Sequence, residues 1–131
     1  MLVVDDEARI RQLLELVLKD MGCEVILSAN GTEALEVLRR RHVDLMLLDL
    51  KMPVLDGYET LRRMRGDPRC GSVPVLVVTA LLHPSKSLGE LPGPVAGHLT
   101  KPFDLDALEG TVRAALRQEG RTLPGDPPDD Q

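Results

Sequence analysis

The chain has 131 residues, a formal net charge of −5 and 43% hydrophobic but only 2% aromatic residues, Tyr58 and Phe103 being the aromatics. A length in this range fits one domain around one core, which must then be built from Leu, Val, Ile, Met and Ala. The acidic balance, with basic residues spread out except at Arg39 to Arg41, argues against a nucleic-acid surface, and no apolar run approaches the roughly 20 residues of a membrane span. The start "MLVVDDE" has no basic segment leading into an apolar one, so a cytoplasmic protein is expected. Cys23 and Cys70 lack a CxxC spacing and are expected to be free thiols.

Short apolar runs alternate with helical periods along the chain, the pattern of βα units around a parallel sheet. "LVV" at Leu2 to Val4 predicts a first strand. From Glu7 onward Ile10, Leu13, Leu14, Val17, Leu18 and Met21 recur at three and four, one face of a helix that Gly22 is placed to end. "EVILSA", Glu24 to Ala29, predicts a second strand, and Asn30 with Glu33 three residues on opens a helix with Ala34, Leu35 and Leu38 inward. Arg39 to Arg41 would then be its solvated end, where cations suit the helix dipole. "DLMLL", Asp44 to Leu48, predicts a third strand, followed by a helix over Gly57 to Arg65 and the loop "GDPRCGSVP". "VLVVT", Val75 to Thr79, predicts a fourth.

Between Thr79 and Lys101 the sequence carries Pro84, Gly89, Pro92, Gly93, Pro94 and Gly97, too many breakers for a full-length helix. A short helical turn around Ser85 to Leu91 and a brief fifth strand over Gly97 to Thr100 are expected instead. Leu105, Leu108, Val112 and Leu116 mark a last helix with Asp104 as its cap. Residues 1–119 are expected to form the folded domain. Residues 120–131, "GRTLPGDPPDDQ", read as a disordered acidic, Pro-rich tail.

A run such as "LMLL", Leu45 to Leu48, suits a strand buried on both faces, so the carboxylate that ends it, Asp49, needs a reason. In an open parallel sheet ligands bind at the carboxyl ends of the strands. There the predicted strands end in Asp5 and Asp6, Asp49, Thr79 and Lys101. Three gathered carboxylates would repel one another unless a cation sits among them, and a hard divalent ion such as Mg²⁺ takes oxygen ligands. With Lys101 and the Thr79 hydroxyl, the set could neutralise a phosphoryl group in flight, Asp49 acting as nucleophile to give an aspartyl phosphate.

The motifs "VVDDE" (3–7), "LLDLKMPVLDG" (47–57), "VLVVTA" (75–80) and "LTKPF" (99–103) resemble, in order and spacing, the receiver domain of two-component response regulators. The intervals fit as well: 43 residues from Asp6 to Asp49, 30 to Thr79 and 22 to Lys101. The resemblance covers roughly Leu2 to Arg117, and the chain is similar to single-domain, chemotaxis-regulator-like members. It implies a flavodoxin-like, doubly wound α/β fold with a five-stranded parallel sheet in the order 2-1-3-4-5, here with a shortened or irregular fourth helix. It implies that Asp49 accepts a phosphoryl group from a histidine kinase or a histidine phosphotransfer protein, so that a contact with a downstream protein is switched. Mg²⁺ would be held by Asp6, Asp49 and the backbone carbonyl of Lys51, with Asp5 acting largely through water. Thr79 and Lys101 would read the phosphoryl group, Lys51 and Leu81 would modulate its lifetime, and the Lys101–Pro102 bond would be cis. The chain would be a signalling domain with no membrane or nucleic-acid partner of its own, catalysing only its own phosphotransfer and dephosphorylation.

Two departures stand out. His98 occupies the position three before the lysine where the family usually carries Tyr or Phe; an imidazole there could switch rotamers, or simply face solvent. The broken segment before the fifth strand makes the family's dimer face of helix four, strand five and helix five doubtful. Two rivals remain from other classes: a degenerate receiver that binds partners without phosphorylation, and a small aspartyl-phosphate phosphohydrolase. Such hydrolases resemble DxD at the nucleophile, whereas the second position here is Lys51. "GELPGPVAG" lacks the GxGxxG spacing of a dinucleotide site. For Asp6 by itself, capping the first helix is the plainer expectation, and Met46 and Met52 are expected to pack in the core.

Overall fold

The computed structural model describes residues 1–52, 55–80, 91–120 and Leu123. Leu81, the expected turn at Ser85 to Leu91 except Leu91 itself, and most of the expected tail lie outside them.

In chain order the elements are β1 (Leu2–Val4), α1 (Ala8–Asp20), β2 (Ile26–Ser28), α2 (Gly31–Arg40), β3 (Met46–Leu48), α3 (Gly57–Arg65), β4 (Val75–Thr79), β5 (Gly97–Thr100) and α4 (Leu105–Gln118). The five strands form one parallel sheet in the order β2-β1-β3-β4-β5. β2 and β3 begin two residues later than their apolar runs predict. Glu24 is used differently, its carbonyl accepting from the Met1 ammonium at 2.7 Å, and the bonding to β1 starts where Ile26 N–H donates to the Met1 carbonyl at 2.8 Å.

The alternation of side chains along each buried strand divides the interior into two cores. Leu2, Val4, Met46, Leu48, Val75 and Val77 face α2 and α3, where Ala34, Leu35, Leu38, Leu61 and Met64 cover them. Val3, Leu45, Leu47, Leu76, Val78 and Leu99 face α1 and α4, against Leu14, Leu18, Leu108, Val112 and Leu116. The "LMLL" run therefore has no polar residue because it has no polar side. Each of its residues is at most 1% exposed, and full burial of such a side chain contributes about 1.5–3 kcal/mol.

The helix ends follow their chemistry. Asn30 Oδ1 accepts from Glu33 N–H at 2.9 Å, Asp56 Oδ1 from Glu59 N–H at 2.9 Å and Asp104 Oδ1 from Ala107 N–H at 2.7 Å. α1 stops in a Schellman turn: Gly22 takes φ +95°, Cys23 N–H reaches the Leu18 carbonyl and Gly22 N–H the Lys19 carbonyl, both at 3.0 Å. At the amino ends of the strands Arg65 closes α3 by donating from Nη1 to the Gly71 and Val73 carbonyls, at 2.9 and 2.8 Å, and from Nη2 to the Pro94 carbonyl at 2.8 Å. Cys23 and Cys70 are free thiols, Met46 and Met52 are buried in the core, and Arg39 and Arg40 lie in the last turn of α2.

Gly110 sits inside α4 with no atom within 4 Å of where a Cβ would stand. Gly110→Ala is therefore expected to raise unfolding stability by about 1 kcal/mol, since helical alanine loses less backbone entropy and meets nothing. Urea denaturation would measure it, and a loss of stability would contradict the open space at this position.

Candidate functional site

The carboxyl ends of β1, β3, β4 and β5 converge on one edge. β1 and β3 lie side by side, and Asp49 N–H donates to the Val4 carbonyl at 3.0 Å, so the acids after each strand meet. One carboxylate oxygen from each of Asp5, Asp6 and Asp49 falls within 4.8 Å of the other two. Asp5 and Asp49 are buried, at 1% and 4% exposure, while Asp6 faces solvent.

Lys101 reaches this triad from the end of β5. Its backbone N–H donates to the Thr79 carbonyl at 2.8 Å, which fixes its entry, and the Lys101–Pro102 peptide bond is cis. Its Nζ donates to Asp5 Oδ2 at 2.6 Å and Asp49 Oδ2 at 3.2 Å, with Glu7 Oε1 at 3.6 Å. Burial pushes the Asp5 carboxyl above its ordinary value, and the hydrogen bonds from Lys101 and Glu7 N–H only partly offset this. Burial also works against the Lys101 charge, yet the hydrogen bond to Asp5 and the field of Asp49 outweigh it and hold the ammonium's pKa above the usual lysine value. One lysine thus serves several acids, and the buried Thr79 Oγ1 has no hydrogen-bond partner among the described residues. Hard oxygen donors, surplus negative charge and an orphaned hydroxyl fit a divalent cation together with an anionic oxygen group.

Tight backbone packing holds the nucleophile candidate. Lys51 N–H donates to Asp49 Oδ1 at 3.1 Å, and Gly57 N–H donates to the Leu50 carbonyl at 3.0 Å. A Cβ on Gly57 would stand 2.3 Å from the Asp49 carbonyl oxygen, so only glycine lets the start of α3 lie against this loop.

Asp6 does not cap α1. Glu7 holds the cap position without a side-chain bond, and it is Asp5 Oδ1 that accepts from Glu7 N–H, at 2.9 Å. Two contributors escape sequence reasoning. Glu7 approaches Lys101, and Arg11 Nη1 donates to the Asp5 carbonyl at 2.7 Å. The available signal for Arg11 is its helical spacing, since a residue in the first turn of α1 lies back over the loop that feeds the helix. His98 is exposed on β5, paired in register with Val77, and has none of the site's hydrogen bonds among the described residues. Leu81 lies outside those residues.

Comparison with known proteins matches residues 1–113 to the response regulator receiver domain. The chain belongs to that family. The receiver is 37% identical to sporulation initiation phosphotransferase F of Bacillus subtilis, an alignment covering 88% of this chain and 91% of that protein. Among solved structures it resembles a Vibrio cholerae chemotaxis protein, at 34% identity and TM-score 0.80, over 88% of this chain and 96% of that one. It also resembles the receiver domain of a Pseudomonas aeruginosa sensor histidine kinase, which has a magnesium ion coordinated in its active-site cleft. Here identity is 28% and TM-score 0.77, over 88% of this chain and 95% of that one. The receiver spans about half the length of the curated transcriptional regulators it matches. It is a signalling domain of flavodoxin-like fold, and among the described residues no helix is long and apolar enough to cross a membrane.

Proposed function

We propose that Asp49 accepts a phosphoryl group from a phosphohistidine of a histidine kinase or phosphotransfer protein, and that the modified domain switches a contact with a downstream protein in the cytoplasm. The observation that carries this is Asp49 itself: a buried carboxylate at the end of a strand with no polar side, 3.2 Å from Lys101 Nζ and within 4.8 Å of two further acids. An Asp49 oxygen attacks phosphorus as the nitrogen–phosphorus bond breaks, and the electron pair leaves with the imidazole. Lys51 N–H and Lys101 orient the carboxylate before attack. Lys101 then neutralises charge on the transferring oxygens, and the Thr79 hydroxyl donates to one of them.

Asp6, Asp49 and the Lys51 carbonyl would hold Mg²⁺, with Asp5 acting largely through water; the Pseudomonas receiver has a magnesium ion coordinated in its active-site cleft. When bound, the ion supplies the positive charge that three carboxylates and a phosphoryl group need. A switching role for His98, which is exposed, and an influence of Lys51 and Leu81 on phosphoryl lifetime rest on the family resemblance alone.

Intact mass after incubation with acetyl phosphate and Mg²⁺ is the deciding experiment. One phosphoryl adduct that requires both Asp49 and the metal is expected; absence of an adduct with acetyl phosphate and with a phosphoramidate donor would favour a phosphorylation-independent binding module.

A second expectation concerns pH. Asp5 has a folded-state pKa raised above its ordinary 3.8. Its favourable contribution is therefore complete below about that pH and is lost as pH rises through the higher folded value. A metal ion replaces the proton above that window, whereas protons compete with it below. Mg²⁺ should raise the thermal midpoint strongly at neutral pH and progressively less as pH falls toward 4. An equal gain across that range would contradict the role given to Asp5.

A further inference from the structure

Seven of the 16 lysines and arginines fall in two short stretches, Arg39 to Arg41 and Arg62 to Arg69, in a chain whose net charge is −5. The C-terminal ends of α2 and α3 bring four of them together. Arg39, Arg62, Arg63 and Arg69 line one open groove with Gly66, Asp67 and Pro68. The helix dipole accounts for a cation in a last turn, yet Arg69 lies beyond α3 and the groove is organised more closely than that effect requires.

Two carboxylates hold four guanidinium groups. Glu59 accepts from both Nε and Nη2 of Arg62 and from Nε of Arg63 at 2.9 Å. Asp67 accepts from Nε of Arg39 at 3.1 Å, and from Nε, Nη2 and the backbone N–H of Arg69. The neighbouring arginines hold Glu59 down to about 2 and Asp67 well below the usual carboxylate range, so both are ionised under ordinary conditions. Arg39 and Arg63 each donate only Nε to these acids among the described residues. Their side chains are 39% and 52% exposed. The heads are thus oriented in advance, which lowers the ordering cost of binding, and the groove keeps two positive charges more than its acids neutralise.

We propose that this groove is a docking surface for an acidic, Asp- or Glu-rich segment of a partner protein. Carboxylate is the anion the groove already binds, with the two-nitrogen fork of Arg62 on Glu59 and of Arg69 on Asp67 as the internal precedent. The patch is confined to one end of two helices on an otherwise acidic molecule. That extent matches a few side chains of a peptide and gives a long polyphosphate backbone nothing further to follow. The surface lies at the far end of α3 from Asp49, so its binding needs neither phosphorylation nor metal.

Fluorescence anisotropy with a labelled octapeptide of alternating Asp and Glu tests the proposal on the full chain. Saturable binding is expected, weakening about tenfold between roughly 50 and roughly 300 mM salt. R39Q/R63Q should lose at least about tenfold in affinity, while R9Q/R117Q, with the same change in net charge on α1 and α4, should bind as the parent does. Absence of saturable binding, equal weakening in the two double variants, or tighter binding of an octathymidylate than of the peptide would each overturn the proposal.

Discussion

Asp49→Asn is expected to abolish the phosphoryl adduct and at the same time to make the domain more stable, by about 1 kcal/mol or about 4 °C in thermal midpoint. The two effects share one cause. Asp5, Asp6 and Asp49 are held within 4.8 Å of one another, with Lys101 as the ammonium bonded to two of them. Like charges at that separation disfavour the folded state, so removing one relieves it. Asparagine keeps an oxygen for Lys51 N–H at the place Asp49 Oδ1 now fills, so little packing is lost. What it lacks is the anionic oxygen that attacks phosphorus. Differential scanning calorimetry without metal, beside the mass measurement, reads both halves. A midpoint that fell would mean that Lys101 already over-compensates the acids, and an adduct on the variant would remove Asp49 from its assigned role. Such opposition between stability and chemistry is common where function requires like charges to share a site.

Gly57→Ala carries the largest expected loss. The added carbon would stand 2.3 Å from the Asp49 carbonyl oxygen and 2.5 Å from the Leu50 Cα, backbone atoms with no rotamer to yield. Either α3 retreats, breaking the Gly57 N–H bond to the Leu50 carbonyl and loosening Leu61 and Met64 in the core, or the loop bearing Asp49 moves. The expected cost is about 3 kcal/mol, roughly 10 °C in midpoint, with slower uptake of phosphoryl from acetyl phosphate. Gly110→Ala is the matched control, because there the same carbon meets nothing. Equal midpoints for the two variants would show that the close approach at Gly57 is not a constraint.

Much of this architecture was legible in the residues because its signals are local. The period of Ile10 to Met21, the Asn30 and Asp104 caps and the unbroken apolar run at Val75 each act over one element, and each forms where expected. Strand starts were less legible, since apolar character continues past the last ladder bond: Val25 is apolar and packs against the core without belonging to β2. At the site, the polar residues ending strands pointed to Asp5, Asp6, Asp49, Thr79 and Lys101 because strand ends in a parallel sheet share an edge. For Asp6 the helix-start position also offered a capping role, and there Glu7 holds the cap position instead. Arg11 on the Asp5 carbonyl, Arg65 on three loop carbonyls and the approach of Gly57 to Asp49 depend on how separate elements dock, which no single element's sequence encodes.

β3 has a further consequence through its two faces. Met46 and Leu48 belong to the layer under α2 and α3, Leu45 and Leu47 to the layer under α1 and α4, and Asp49 is the next residue along. The carboxylate proposed to take the phosphoryl group is in effect the tip of a lever whose shaft runs through both halves of the interior. Close-packed interiors transmit displacement rather than absorb it, so a pull on Asp49 is felt by both helical layers together. Under the proposed phosphorylation, a domain packed in this way would carry one chemical event at Asp49 to surfaces on both sides of the sheet.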